Sequence, residues 1–98
     1  MNNDKKKLKP QTIRLKQKKF LCLVKTALNE INQEIENPQK HKKDNMHYMK
    51  EEVEKMKEAR STMIFQPTYP LHIVDHWHPK DKLGDILLNL YYMYLDLE

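Results

Sequence analysis

Five prolines, at positions 10, 38, 67, 70 and 79, set the outer limits on what this 98-residue chain can fold into. A proline removes one backbone donor and pushes the residue before it out of the helical region, so every long helix must fit between these marks. Three long intervals remain, and each repeats its apolar residues at helical spacing. With a single glycine and few β-branched residues, the chain lacks the turns and the side chains from which sheets are built. It reads as all-α.

In the first interval Phe20, Val24, Ala27, Ile31 and Ile35 recur at steps of three and four, with Leu21 and Leu28 beside them. Lys16, Lys18, Lys19, Lys25, Asn29 and Gln33 take the opposite face. This predicts an amphipathic helix over 12–37, stopped at Asn37 by the proline that follows. The polar segment 38–45 is the connection, with Asp44 or Asn45 as the expected cap of the next helix. Met46, Met49, Val53, Met56 and Met63 then keep the helical period and predict a second helix over 45–63, supported by a Glu51–Lys55 pair.

The last interval is the most apolar. Leu83, Ile86, Leu87, Leu90, Met93, Tyr94 and Leu97 form one face, while Leu88, Tyr91, Tyr92 and Leu95 lie to the sides and back. A helix apolar nearly all round is buried on more than one side, so 79–97 is expected to be the central helix. Pro79 suits its first position, with His78 as cap and Asp81 in the first turn. Its uncharged stretch is about half the ~20 residues that a membrane crossing needs, so no membrane span is expected. Gly84 costs about 1 kcal/mol of helix propensity against alanine, which implies that a backbone or an aromatic ring comes close there.

Between the second and third helices, Pro67 and Pro70 bracket Thr68 and Tyr69 and predict an extended path. The apolar content of that path, Phe65, Tyr69, Leu71, Ile73, Val74 and Trp77, is too high for a flexible linker. The expected architecture is a small three-helix bundle: a hairpin of 12–37 against 45–63, closed by 79–97, with 65–78 laid across it as an extended strap. Residues 1–11 are expected to be a flexible basic tail, and 12–98 a single domain.

For chemistry the sequence offers little. One glycine cannot build a phosphate-cradling loop, and Ser61, Thr62 and Cys22 are not set up as nucleophiles, so no enzyme and no cofactor are expected. The one dense group of catalytic-type side chains is His72, Asp75, His76 and His78. His72 and His76 have the four-residue spacing of helical metal ligands, but the prolines argue against a helix there and no cysteine or second half-motif completes a ligand set. They are expected to be polar edges of the strap, with no metal. Cys22 falls among apolar helical positions and is expected in the core, and a lone thiol fits a reducing cytoplasm. The apolar cluster 20–24 is too short for a signal-peptide core.

Two partner classes follow. Tyr and Trp dominate interface hot spots, and Trp77, Leu88, Tyr91, Tyr92 and Tyr69 collect in the C-terminal region. This predicts a protein-interaction or regulatory module that binds another protein or, in the simplest form, itself as a homodimer. The alternative is an accessory nucleic-acid binder. Residues 1–25 carry a charge of +8 and the remainder −4, and Lys5, Lys6, Lys7, Lys9, Arg14, Lys16, Lys18 and Lys19 have the charge to neutralise phosphates. With one arginine in that stretch and no helix-turn-helix pattern, such binding is expected to be nonspecific and salt-sensitive. Small size and Lys- and Asn-rich usage suggest a small bacterial or phage accessory protein.

Overall fold

A 27-residue helix, α1 (Pro10–Glu36), is the spine of the computed structural model, which describes residues 10–97. At 1.5 Å per residue it is about 40 Å long. Phe20, Val24, Ala27 and Ile31 on its inner face are fully or almost fully buried, as their spacing predicts. Two shorter helices, α2 (Lys43–Ala59) and α4 (Lys82–Leu95), pack along α1 from two sides. The short α3 (Tyr69–His76) packs against α4. The six-residue loop 37–42 makes α2 antiparallel to α1. Lys16, near the start of α1, meets Asp96, just beyond the end of α4, at 3.1 Å, so α4 is antiparallel to α1 as well. A cation at that C-terminus also complements the helix dipole. Met46, Met49, Val53 and Met56 from α2, with Leu87, Leu90 and Tyr94 from α4, complete the core.

The all-α bundle with its hairpin and C-terminal helix is the predicted architecture, and the described residues contain no strand. Several details differ. The element against which two long helices pack is α1, not the C-terminal helix, because α1 is long enough to offer α2 and α4 separate strips of one face. The expected extended strap over 65–78 is largely helical: α3 occupies 69–76 of it. Pro70 is tolerated there because it sits in the first turn, where its missing N–H has no helical partner to lose.

α2 ends at Ala59. Arg60 adopts the left-handed conformation (φ 55°) that caps a helix, its N–H bonding Met56 O, so Met63 leaves the helical period and is 93% exposed. The start of α2 is Lys43 after Lys42, with no side-chain cap, and Asp44 lies inside the first turn rather than before it. α4 starts at Lys82, capped by Asp81 accepting from Gly84 N at 2.9 Å. His78 is not the cap; its Nδ1 accepts from Lys80 N at 3.0 Å within the preceding turn. α1 already includes Pro10 and Gln11, which the tail reading assigned elsewhere, and the remainder of that proposed tail lies outside the described residues. Cys22, expected in the core, is exposed, since it stands about 200° around the helix from the buried Phe20.

Candidate protein-docking face

α3 has eight residues and its Ncap residue, Thr68, makes no side-chain cap bond, so its first turn depends on another element. That element is α2. The carboxylate of Glu52, the buried charged side chain of the core, accepts from Thr68 N at 2.8 Å and Tyr69 N at 2.7 Å through Oε1. Its Oε2 accepts from Thr68 Oγ1 at 3.0 Å, and Tyr48 Oη hydrogen-bonds the same threonine hydroxyl. A negative group on the first N–H groups of a helix satisfies orphan donors and suits the helix dipole. At the other side Tyr69 Oη donates to Leu87 O of α4 at 2.7 Å. Burial pushes this phenol's pKa up, and the nearby Glu52 charge adds to the effect.

Once α3 is fixed, it forms with α4 a shallow apolar face. Leu71 and Val74 are each 68% exposed on α3, and Tyr92 is 62% exposed on α4, with Leu88 and Leu95 on the same strip. A groove of about 280 Å³ runs between the helices, lined by Ile73, Val74, Trp77, Gly84 and Leu88. The Trp77 indole lies between two surfaces. His41 stacks on it with ring centroids 4.0 Å apart, and a Cβ built at Gly84 would come within 3.2 Å of Trp77 Cε3. The close approach expected at Gly84 is therefore this ring. His41 is held in turn by Asp81, Nε2 to Oδ2 at 2.9 Å, with side chains 11% and 9% exposed. Asp81 thus caps α4 with one oxygen and anchors the 37–42 loop with the other.

Asp75 and Asp85 are exposed on α3 and α4, Asp96 just beyond α4 is paired with Lys16, and Lys80 and Lys82 are exposed just before and at the start of α4.

Of the aromatic and aliphatic residues expected at a partner surface, Tyr92 is exposed, and Trp77, Leu88 and Tyr91 are half-buried. Tyr91 lies against Tyr92 with centroids 5.9 Å apart. Tyr69 must be removed from the set: it is fully buried, because α3 turns it into the core. Leu71 and Val74 join the face instead. Their exposure follows from helical rather than extended geometry, so the extended-strap reading hid it. His41 had no signal in the sequence beyond its presence in a polar loop.

His72 and His76 stand one helical turn apart, with ring centroids 4.9 Å apart, and the edge of Tyr48 meets His72 at 6.1 Å. Contrary to the expectation from the flanking prolines, both histidines lie on a helix. Among the described residues, however, no three His, Cys, Asp or Glu side chains converge as a metal site. Of the basic residues, Arg14, Lys18 and Lys19 are exposed on α1, and Lys16 is engaged by Asp96. Lys5, Lys6, Lys7 and Lys9 lie outside the described residues.

A second cleft, of about 440 Å³, opens where the 37–42 loop meets the start of α4 and is lined by Glu30, Glu34, Glu36, His41 and Asp81 among others. Glu34 Oε1 accepts the backbone N–H groups of Gln39, Lys40 and His41 at 2.9, 2.6 and 3.0 Å. Burial works to raise its pKa, but those three backbone donors outweigh burial and hold the carboxyl below its ordinary value. No protein-family model, curated protein or solved structure matches the chain.

Proposed function

We propose that the chain is a binding protein, not an enzyme, and that its α3–α4 face receives a basic, amphipathic helix from another protein. The observation that carries the reading is the pairing of an apolar strip, exposed Leu71, Val74, Tyr92 and Leu95 with half-buried Leu88 between them, with the exposed carboxylates of Asp75 and Asp85. Soluble domains rarely leave contiguous apolar surface without a use. A partner helix laid along the groove would place its apolar residues on Val74, Leu88 and Tyr92 and its cations against the aspartates. The stacked, doubly supported Trp77 supplies a rigid wall, which lowers the entropy lost on docking.

Trp77 is the chain's single tryptophan and reports directly on the groove. The test titrates the protein with two model helices that share a leucine face and differ in a lysine or a glutamate polar face. The lysine helix is expected to shift Trp77 emission and the glutamate helix to leave it unchanged, with Val74→Glu and Tyr92→Glu each weakening the response about tenfold or more. Equal response to both helices, or to neither, refutes the reading. A concentration-dependent dimer that Tyr92→Glu dissolves would assign the face to a second copy of the chain instead.

A further inference from the structure

The turn between α2 and α3 holds two large apolar side chains in water on a firmly bonded backbone. Met63 is 93% and Ile64 75% exposed. Beneath them, Ile64 N and Phe65 N donate to Ser61 O at 3.1 and 3.0 Å, and Met63 N donates to Ser61 Oγ at 3.2 Å. The Tyr94 hydroxyl, from the core face of α4, lies 2.6 Å from Ser61 O and 2.7 Å from Phe65 O and so ties down both ends of the turn. A single exposed apolar residue is ordinary. An adjacent pair on an anchored turn is a preformed knob that loses little backbone entropy on insertion.

This knob shares its end of the bundle with the first turns of α1, since α1 runs antiparallel to α2 and Lys16 reaches the end of α4. Ile13 is 40% and Leu15 51% exposed there. Arg14, Lys18 and Lys19 are exposed on α1, as are Lys57 and Arg60 at the end of α2. The nearby acids are Glu58 and Asp96, and Asp96 is already paired with Lys16. At the far end Glu30, Glu34, Glu36 and Asp81 share the second cleft with Lys40 and Lys82, and Lys42, Lys43 and Lys80 are exposed close by, so charge there is mixed. At the end where the apolar knob projects, the exposed cations Arg14, Lys18, Lys19, Lys57 and Arg60 outnumber the acids.

We infer that this end docks on an anionic lipid surface, with Met63 and Ile64 entering the headgroup boundary while Arg14, Lys18, Lys19 and Arg60 face the lipid phosphates. Stable attachment to a membrane surface takes two signals, and a small apolar insertion beside a cluster of cations provides both. Nucleic acid would use the charge and gain nothing from Met63 and Ile64. Among the described residues no helix is long and apolar enough to cross a membrane, so the contact is peripheral. It uses a different part of the molecule from the α3–α4 face and stands or falls separately from it.

The full chain is sedimented with vesicles of phosphatidylcholine alone or enriched in phosphatidylserine, at physiological salt, and is tested in parallel for retention on duplex DNA. Partition onto the phosphatidylserine vesicles and not onto neutral ones is expected. The double variant Met63→Ser, Ile64→Ser is expected to partition about tenfold more weakly, while Met63→Leu, Ile64→Leu retains binding and separates loss of apolar contact from damage to the turn. The triple variant Arg14→Gln, Lys18→Gln, Lys19→Gln is expected to lose on the order of a hundredfold. The inference is overturned if the serine variant partitions as the parent does, if the parent binds DNA and not vesicles, or if it binds neither.

Discussion

The two ends of the bundle solve the same loop problem in different ways. At the 37–42 loop, Glu34 holds three backbone N–H groups and His41 is drawn inward to stack on Trp77 and pair with Asp81. Backbone order and side-chain burial come together there. In the 60–68 segment the backbone is equally well bonded, by Tyr94 at the turn and by Glu52 at the start of α3, yet Met63 and Ile64 point into water. A loop can thus be ordered by side chains reaching in from neighbouring helices, a hydroxyl that donates and a carboxylate that accepts, which leaves its own side chains free for an outside contact.

If hydrogen bonds borrowed from α2 and α4 order the 60–68 segment, removing one partner should undo it. Glu52→Ala leaves the N–H groups of Thr68 and Tyr69 without their carboxylate, and each hydrogen bond to a charged group is worth ~1.5–3 kcal/mol. A loss of about 3 kcal/mol in urea denaturation is expected, with Glu52→Gln losing less because its carbonyl still accepts. Unchanged stability in Glu52→Ala would show that α3 forms without help and would break the comparison.

Tyr94→Phe removes the hydroxyl at the turn while keeping the ring in the core. It should cost about 1–2 kcal/mol and speed hydrogen exchange at residues 63–65 with no change at 39–41. Equal acceleration at both loops would mean that the ends are not independent.

At the opposite end, Gly84→Ala sets a helix-propensity gain of about 1 kcal/mol against a methyl group 3.2 Å from Trp77 Cε3. Because His41 backs the indole, the ring has little room to give, and a net loss of about 1 kcal/mol is expected. In a His41→Ala background the loss should shrink. A penalty of the same size in both backgrounds would contradict the stacked arrangement.

The smallest effect is with pH. The folded Glu34 carboxyl sits below its ordinary value of 4.5. The stability it contributes is therefore fully present above that value and lost as pH falls through the lower, folded one. Exchange at residues 39–41 should rise in that acid window, and Glu34→Gln should flatten the rise. A loop insensitive to both changes would remove Glu34 from its role.

The three long helices were legible because each repeats its apolar residues at helical spacing over about three turns: Phe20 to Ile31, Met46 to Met56 and Leu83 to Tyr94 announce their buried faces. The short fourth helix was not. α3 takes its first-turn acceptor from Glu52, seventeen residues away from Tyr69, and local rules about Pro67 and Pro70 cannot register a cap supplied from across the fold. The same limit hid the end of α2, where Met63 keeps the period but Arg60 has already turned the chain. In the docking face, Tyr92, Leu88 and Trp77 were readable as aromatic and aliphatic surplus. Tyr69 was misplaced and Leu71 and Val74 were missed, because which side of a segment faces water depends on whether it is a helix.

Glu52 also bears on the order of events during synthesis. The chain emerges from its N-terminus, so α1 and α2 are available to pair before the backbone donors of Thr68 and Tyr69 exist. Until they arrive, a carboxylate destined for the interior has only water to satisfy it, and burying it unpaired is strongly unfavourable. The nascent hairpin must therefore stay hydrated along the edge that α3 later covers. Closure of that edge and the first turn of α3 are thereby coupled, because each supplies the hydrogen-bond partner that the other lacks.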